Sequence, residues 1–248
     1  MHGGEYRPVS FRRNVRSAIP RPVRQRLYDW SPSRKRRWRE VPGLESLPPS
    51  GLVALTFDDG PDPRFTPPLL DALAEAGATA TFFVVGERLP GAASLIGEIE
   101  ERGHEIALHG MTHRRHDGLD EAAARAELTD GLAAIEAAGA NRPRWYRPPY
   151  GGSSPILARL CQELDLGLTY WSAWGQDWEA ISARRIADLV LRDLGPGGIV
   201  LLHDSPLYAE RDDATPTIDA IPLLADALHQ QGGLRATSLG SASDARPA

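Results

Sequence analysis

Two carboxylates stand side by side where an apolar run stops. Leu52-Val53-Ala54-Leu55 leads into Thr56-Phe57-Asp58-Asp59-Gly60, and Pro61-Asp62-Pro63 turns the chain away. Neighbouring strand residues point to opposite sides, so the two acids need not share one task. Two charges at the edge of a core are costly unless they are paired or bind a metal. A second cluster, His109-Gly110-Met111-Thr112-His113, spaces two imidazoles four residues apart and so sets both on one side of a helical turn. With an aspartate from another strand end they form a His2Asp set that leaves positions open for water and substrate. Such an open set suits a catalytic divalent ion, zinc by default. His116 reads as a loop residue.

These groups need a scaffold that gathers strand ends. Apolar runs at 52–57, 80–85, 105–108, 144–147, 168–172, 198–202 and 235–238 alternate with helical patterns at 66–77, 92–102, 120–139, 154–166, 182–194 and 217–231. Thr66, followed by two prolines, is the expected cap of the first helix. Seven strand–helix steps argue for parallel strands joined by right-handed crossovers. The polar residues fall just after the strands: Asp58-Asp59, His109, Arg147, Trp174 to Asp177, and His203-Asp204. Contributions from five strand ends favour a β/α barrel over an open sheet, which would collect them at one crevice.

Composition bounds the rest. The 248 residues suffice for one large α/β domain, and the single cysteine excludes an internal disulfide. Cys161 reads as a buried helix residue. The net charge of −5 conceals a basic N-terminal extension, 1–50, with 12 Lys and Arg against 4 Asp and Glu; the remainder holds 16 against 29. This Arg- and Pro-rich arm lacks the apolar region of a signal peptide, and Arg12-Arg13 lacks the setting of a twin-arginine signal. It could touch an acidic membrane surface or a polyanion. No apolar stretch spans a membrane. A cytoplasmic, monomeric protein without nucleic-acid partners is expected, with residues 51–240 as the domain and 241–248 as a flexible tail.

Taken in order, Thr56-Phe57-Asp58-Asp59-Gly60, His109-x3-His113, Arg147-Pro148-Pro149-Tyr150, Asp177-Trp178 and Leu201-Leu202-His203 resemble the five motifs of the carbohydrate esterase family 4 (NodB-homology) polysaccharide deacetylases. The resemblance covers roughly residues 50–240. It implies a distorted (β/α)7 TIM-like barrel and a hydrolase that removes N-acetyl groups from an amino-sugar or polysaccharide. It assigns Asp59, His109 and His113 to a divalent metal: zinc first, with cobalt, nickel or manganese as alternatives. It makes Asp58 the general base steadied by Arg147, and His203 the general acid oriented by Asp177. The Tyr150 backbone N–H would help hold the oxyanion, and Leu201 and Trp178 would line a pocket for the acetyl methyl group. The same machinery would serve an O-acetyl esterase or an amidase on a non-sugar amide. A non-catalytic glycan-binding barrel is disfavoured, because every motif residue is present. Asp204 reads as a loop-orienting residue.

Overall fold

The computed structural model describes residues 41–245. The arginine runs of the basic arm, including Arg12-Arg13, lie outside the described residues. Among the described residues eight strands form one sheet: β1 (Leu52–Asp58), β2 (Thr81–Val84), β3 (Glu105–Leu108), β4 (Trp145–Tyr146), β5 (Gly167–Leu168), β6 (Ala173–Trp174), β7 (Ile199–His203) and β8 (Arg235–Thr237). Their order is β5-β4-β3-β2-β1-β7-β6, with β8 alongside the start of β1, and all the pairings are parallel. The helices are α1 (Thr66–Glu75), α2 (Ala93–Glu101), α3 (Glu121–Ala137), α4 (Pro155–Glu163), α5 (Ala183–Asp193), α6 (Thr215–Gln230) and α7 (Leu239–Asp244). This is the expected distorted β/α barrel. Its sheet ends at β5 and β6, which are not paired with each other.

The open seam accounts for one departure from the sequence pattern. Of the run expected as a strand over 168–172, only Leu168 falls in a strand, β5, and β6 begins beyond the run at Ala173, because the two strands pair with different neighbours. Leu168 lies beside Tyr146 of β4, whereas Trp174 lies beside Leu201 of β7. Between them Tyr170 N–H donates to the Leu44 carbonyl, and Leu44 bridges Thr169. Residues 41–50, grouped by composition with the basic extension, therefore engage the sheet: Ser46 bridges Gly198, and Leu47 is buried.

Residues 241–244, expected in a flexible tail, instead belong to α7. Ser238 caps that helix, Leu239 and Ala242 are buried, and Asp244 takes a two-pronged ion pair from Arg144. Apolar anchors every third residue explain why this short segment docks. Thr66 also differs from expectation. It is the first residue of α1 rather than its cap, and its hydroxyl serves Asp62 and Asp204. The α3 stripe of Ala124, Leu128, Gly131, Leu132 and Ile135 packs at helical spacing and carries one acidic residue, Glu127.

Register sets the site. β1 and β7 align Asp58 with His203 and Thr56 with Leu201. Parallel neighbours lie about 4.8 Å apart, and side chains two apart share a face. Thr56 and Asp58 on one strand thus share a face, as do Leu201 and His203 on the next.

Candidate active site

Asp59 follows β1 with a left-handed backbone (φ 80°), which breaks the strand alternation, and its carboxylate and that of Asp58 both reach His109 Nε2. Asp59 Oδ1 lies 3.0 Å from His113 Nε2 and 3.5 Å from His109 Nε2. The three ligand atoms all fall within 4.8 Å of one another. His109 Nδ1 is 2.7 Å from the Arg147 carbonyl, which can only accept, so that nitrogen carries a hydrogen and Nε2 is the atom that faces the carboxylates. Burial opposes ionisation of Asp59, but the facing His113 and His109 imidazoles hold its pKa well below the ordinary value. Burial likewise lowers the pKa of His113, against the pull of Asp59. One carboxylate oxygen facing two imidazole nitrogens is a donor set that fits a divalent cation.

Asp58 shares His109 with Asp59 but has its own cation. Its Oδ1 accepts from Arg147 Nη1 at 2.7 Å, and its Oδ2 lies 3.8 Å from His109 Nε2. Arg147 is fully buried. It also donates to Thr56 Oγ1 at 2.8 Å and to the Tyr170 carbonyl at 2.8 Å, and it packs 4.0 Å over the Phe83 ring. The arginine thus spans β1 and the open seam, and it fixes the Asp58 carboxylate in a dry interior as a counter-charge.

On the far side, His203 Nδ1–H donates to Asp177 Oδ1 at 2.8 Å, and its backbone N–H donates to Asp177 Oδ2 at 2.9 Å. Gln176 takes a left-handed backbone (φ 51°) immediately before Asp177. Burial would lower the His203 pKa, but Asp177, with Asp59 and Asp58, pushes it up to about 9. Burial raises the Asp177 carboxyl, yet His203 and Arg211 bring it below its ordinary value. The imidazole is thereby held protonated at neutral pH, with Nε2 left over for chemistry.

The remaining expected residues surround these groups. Tyr150 has a left-handed backbone (φ 60°), is 46% exposed and sets its ring edge-on to His113 at 4.7 Å. Trp178 stands edge-on to His203 at 5.7 Å. Leu201, buried, lies two residues before His203 on the same strand face. All ten residues are therefore linked by a contact, a pairing or a shared strand face.

Several supporting residues were not legible as such. Glu127, buried on α3, accepts from the Thr112 N–H and hydroxyl at 2.8 Å each and pairs with Arg114 Nε at 2.6 Å and His116 Nε2 at 3.3 Å. It ties down the loop that carries His113. Burial opposes its ionisation, but His116 and the Thr112 bonds bring its pKa to about 2. An acid inside the apolar stripe of α3 was the signal available for it. His116 lies in the loop, as expected, but is fully buried there, with its Nδ1 2.6 Å from the Tyr146 hydroxyl. Tyr208 stacks on His113 at 4.0 Å and donates its hydroxyl to Glu87. Asp204 accepts from Thr66 Oγ1 at 2.6 Å, and burial pushes its carboxyl up to about 7. Arg211 and Thr217 both bond Asp177.

Comparison with known proteins bears on this geometry. The family model for polysaccharide deacetylase matches residues 46–171. A chitooligosaccharide deacetylase of Sinorhizobium fredii is 35% identical over 204 residues, covering 78% of this chain and 95% of that relative. A peptidoglycan-N-acetylglucosamine deacetylase of Bacillus cereus is 32% identical over 196 residues, covering 78% of this chain and 86% of that relative. Among solved structures, a family 4 acetyl xylan esterase from Clostridium thermocellum in complex with a cobalt ion superposes with a TM-score of 0.69 at 30% identity. That match covers 77% of this chain and 89% of the other.

Proposed function

Because this chain belongs to the polysaccharide deacetylase family, we propose that it is a metal-dependent hydrolase that removes N-acetyl groups from an amino-sugar glycan and releases acetate. One observation carries the reading. Two adjacent aspartates that both reach His109 take different further partners, Asp59 the imidazole of His113 and Asp58 a buried arginine, with His203 in register beside Asp58.

Asp59, His109 and His113 hold the metal, zinc by the nature of the N2O donor set. A divalent cation there supplies Lewis acidity toward the acetamide carbonyl and makes water a better acid. Asp58, anchored by Arg147, takes the proton from the attacking water. The water oxygen bonds to the carbonyl carbon, and the Tyr150 backbone N–H steadies the negative oxygen that results. His203, held charged by Asp177, gives its Nε2 proton to the sugar nitrogen as the C–N bond breaks. Acetate and the free amine are the products. Leu201 and Trp178 form the apolar wall for the acetyl methyl group.

A second reading, cleavage of O-acetyl esters from a glycan, has the support of the acetyl xylan esterase likeness. Both readings are tested by acetate release from N-acetylated chitooligosaccharides, peptidoglycan fragments and acetylated xylan, before and after chelation. Metal-dependent release from an N-acetyl substrate supports the first. Release from acetylated xylan alone contradicts it.

A further inference from the structure

Asp177 is fully buried, and both its oxygens are committed. Oδ1 receives the His203 Nδ1–H. Oδ2 receives the His203 backbone N–H at 2.9 Å, the Thr217 hydroxyl at 2.8 Å and Arg211 Nη2 at 3.3 Å. Arg211 is itself only 5% exposed. It donates from Nη2 to the His203 carbonyl at 3.0 Å and from Nη1 to Thr217 Oγ1 at 2.5 Å. One guanidinium thus touches the backbone of His203, the carboxylate that orients it and the hydroxyl that helps hold that carboxylate. Arg211 comes from the loop after β7, and Thr217 from the first turn of α6. The sequence around the arginine, Glu210-Arg211-Asp212-Asp213, looks like a solvated charge run, yet the arginine is drawn inward.

The arrangement parallels the other half of the site, where Arg147 serves Asp58. A carboxylate free to pivot about its Cβ–Cγ bond could offer either oxygen to the imidazole. Three donors gathered on Oδ2 remove that freedom and leave Oδ1 for Nδ1–H. The second cation also shares the negative charge of Asp177, which would otherwise hold the imidazolium proton more tightly. We propose that Arg211, together with Thr217, is a positioning residue for the proton-donating step: it locks the Asp177 carboxylate so that His203 is aimed and able to release its proton to the departing amine. This inference rests on the reading of His203 as the general acid.

The test exploits the leaving group. An amine leaves only when protonated, whereas the phenolate of 4-nitrophenyl acetate departs without an acid. Arg211→Gln, Arg211→Lys, Thr217→Val and His203→Gln are compared with the unaltered protein on N-acetylated chitooligosaccharide and on the aryl ester, with metal content measured in each. Arg211→Gln is expected to lower kcat on the amide about 10–100-fold, as loss of an orienting partner does. KM and metal content should hold within about twofold, and the amide-to-ester ratio should fall in proportion. Arg211→Lys, which keeps the charge but loses the fork, and Thr217→Val should fall less, in the same direction. Equal losses on both substrates, or a loss confined to KM or metal, would make Arg211 a structural residue and overturn the proposal. Should Arg211→Gln not fold, the Thr217→Val ratio decides in the same way. If His203→Gln lowers the ratio and the Arg211 variants do not, the inference alone fails. If His203→Gln leaves the ratio unchanged, the general-acid reading fails with it.

Discussion

Replacing Arg147 by glutamine separates the structural from the catalytic weight of the Asp58 ion pair. Arg147 is fully buried, and Asp58 is 3% exposed, so the substitution leaves a carboxylate without its cation in a dry interior. Breaking one partner out of a buried pair costs about 3–5 kcal/mol. The Tyr170 carbonyl loses its donor as well, worth roughly 1 kcal/mol more. The Thr56 hydroxyl keeps its bond to the Val200 carbonyl and adds little. A total of about 4–6 kcal/mol lowers the melting temperature by roughly 10–20 °C for a domain of this size. Adding Asp58→Asn to Arg147→Gln removes the stranded charge and should recover about half of that loss, while acetate release stays at least about 10²-fold down for want of the base. Thermal and urea denaturation of the two variants, with acetate release alongside, provide the assay. A cost below about 1 kcal/mol for Arg147→Gln, or no recovery in the double variant, would refute the reasoning.

Two further outcomes follow from the same geometry. His203 acts as an acid only while protonated, and its pKa is pushed up to about 9 chiefly by Asp177 against the effect of burial. The kcat for deacetylation should therefore fall above about pH 9. Asp177→Asn removes the raising influence and should move that falling limb to lower pH in a pH–rate profile; an unmoved limb would contradict the pairing. Glu127→Gln loosens the bonds to Thr112, Arg114 and His116 that hold the His113 loop. Calorimetric titration should show metal affinity weakened about 10–100-fold, and undiminished affinity would confine Glu127 to a role in folding.

The chemistry-bearing residues were legible because their spacing is local. The pair at Asp58-Asp59, the four-residue step from His109 to His113 and the placement of each motif after an apolar run can all be read from one stretch of chain. Long strands and helices announced themselves by period. Partnership across the barrel was less visible. That Arg147 reaches both β1 and the seam at Tyr170, or that Arg211 turns inward from a charged loop, depends on tertiary packing that no local pattern encodes. The break in the expected strand after Leu168 depends on which neighbours lie across the seam, and the docking of α7 on two apolar contacts and one ion pair. Glu127 stood in the apolar stripe of α3 as a contradiction in the pattern, and such contradictions mark the places where a buried polar group has work to do.

The central claim is that two neighbouring identical residues have different roles, because, beyond the His109 they share, Asp59 faces His113 and Asp58 takes the buried Arg147. Metal content and turnover of Asp58→Asn and Asp59→Asn, measured on the same preparations, test it most directly. Asp58→Asn should retain about one divalent ion per chain, as the unaltered protein does, while kcat falls about 10²–10⁴-fold for want of the base. Asp59→Asn should lose the ion. Equal metal loss in both variants, or full metal retention in Asp59→Asn, would contradict the account.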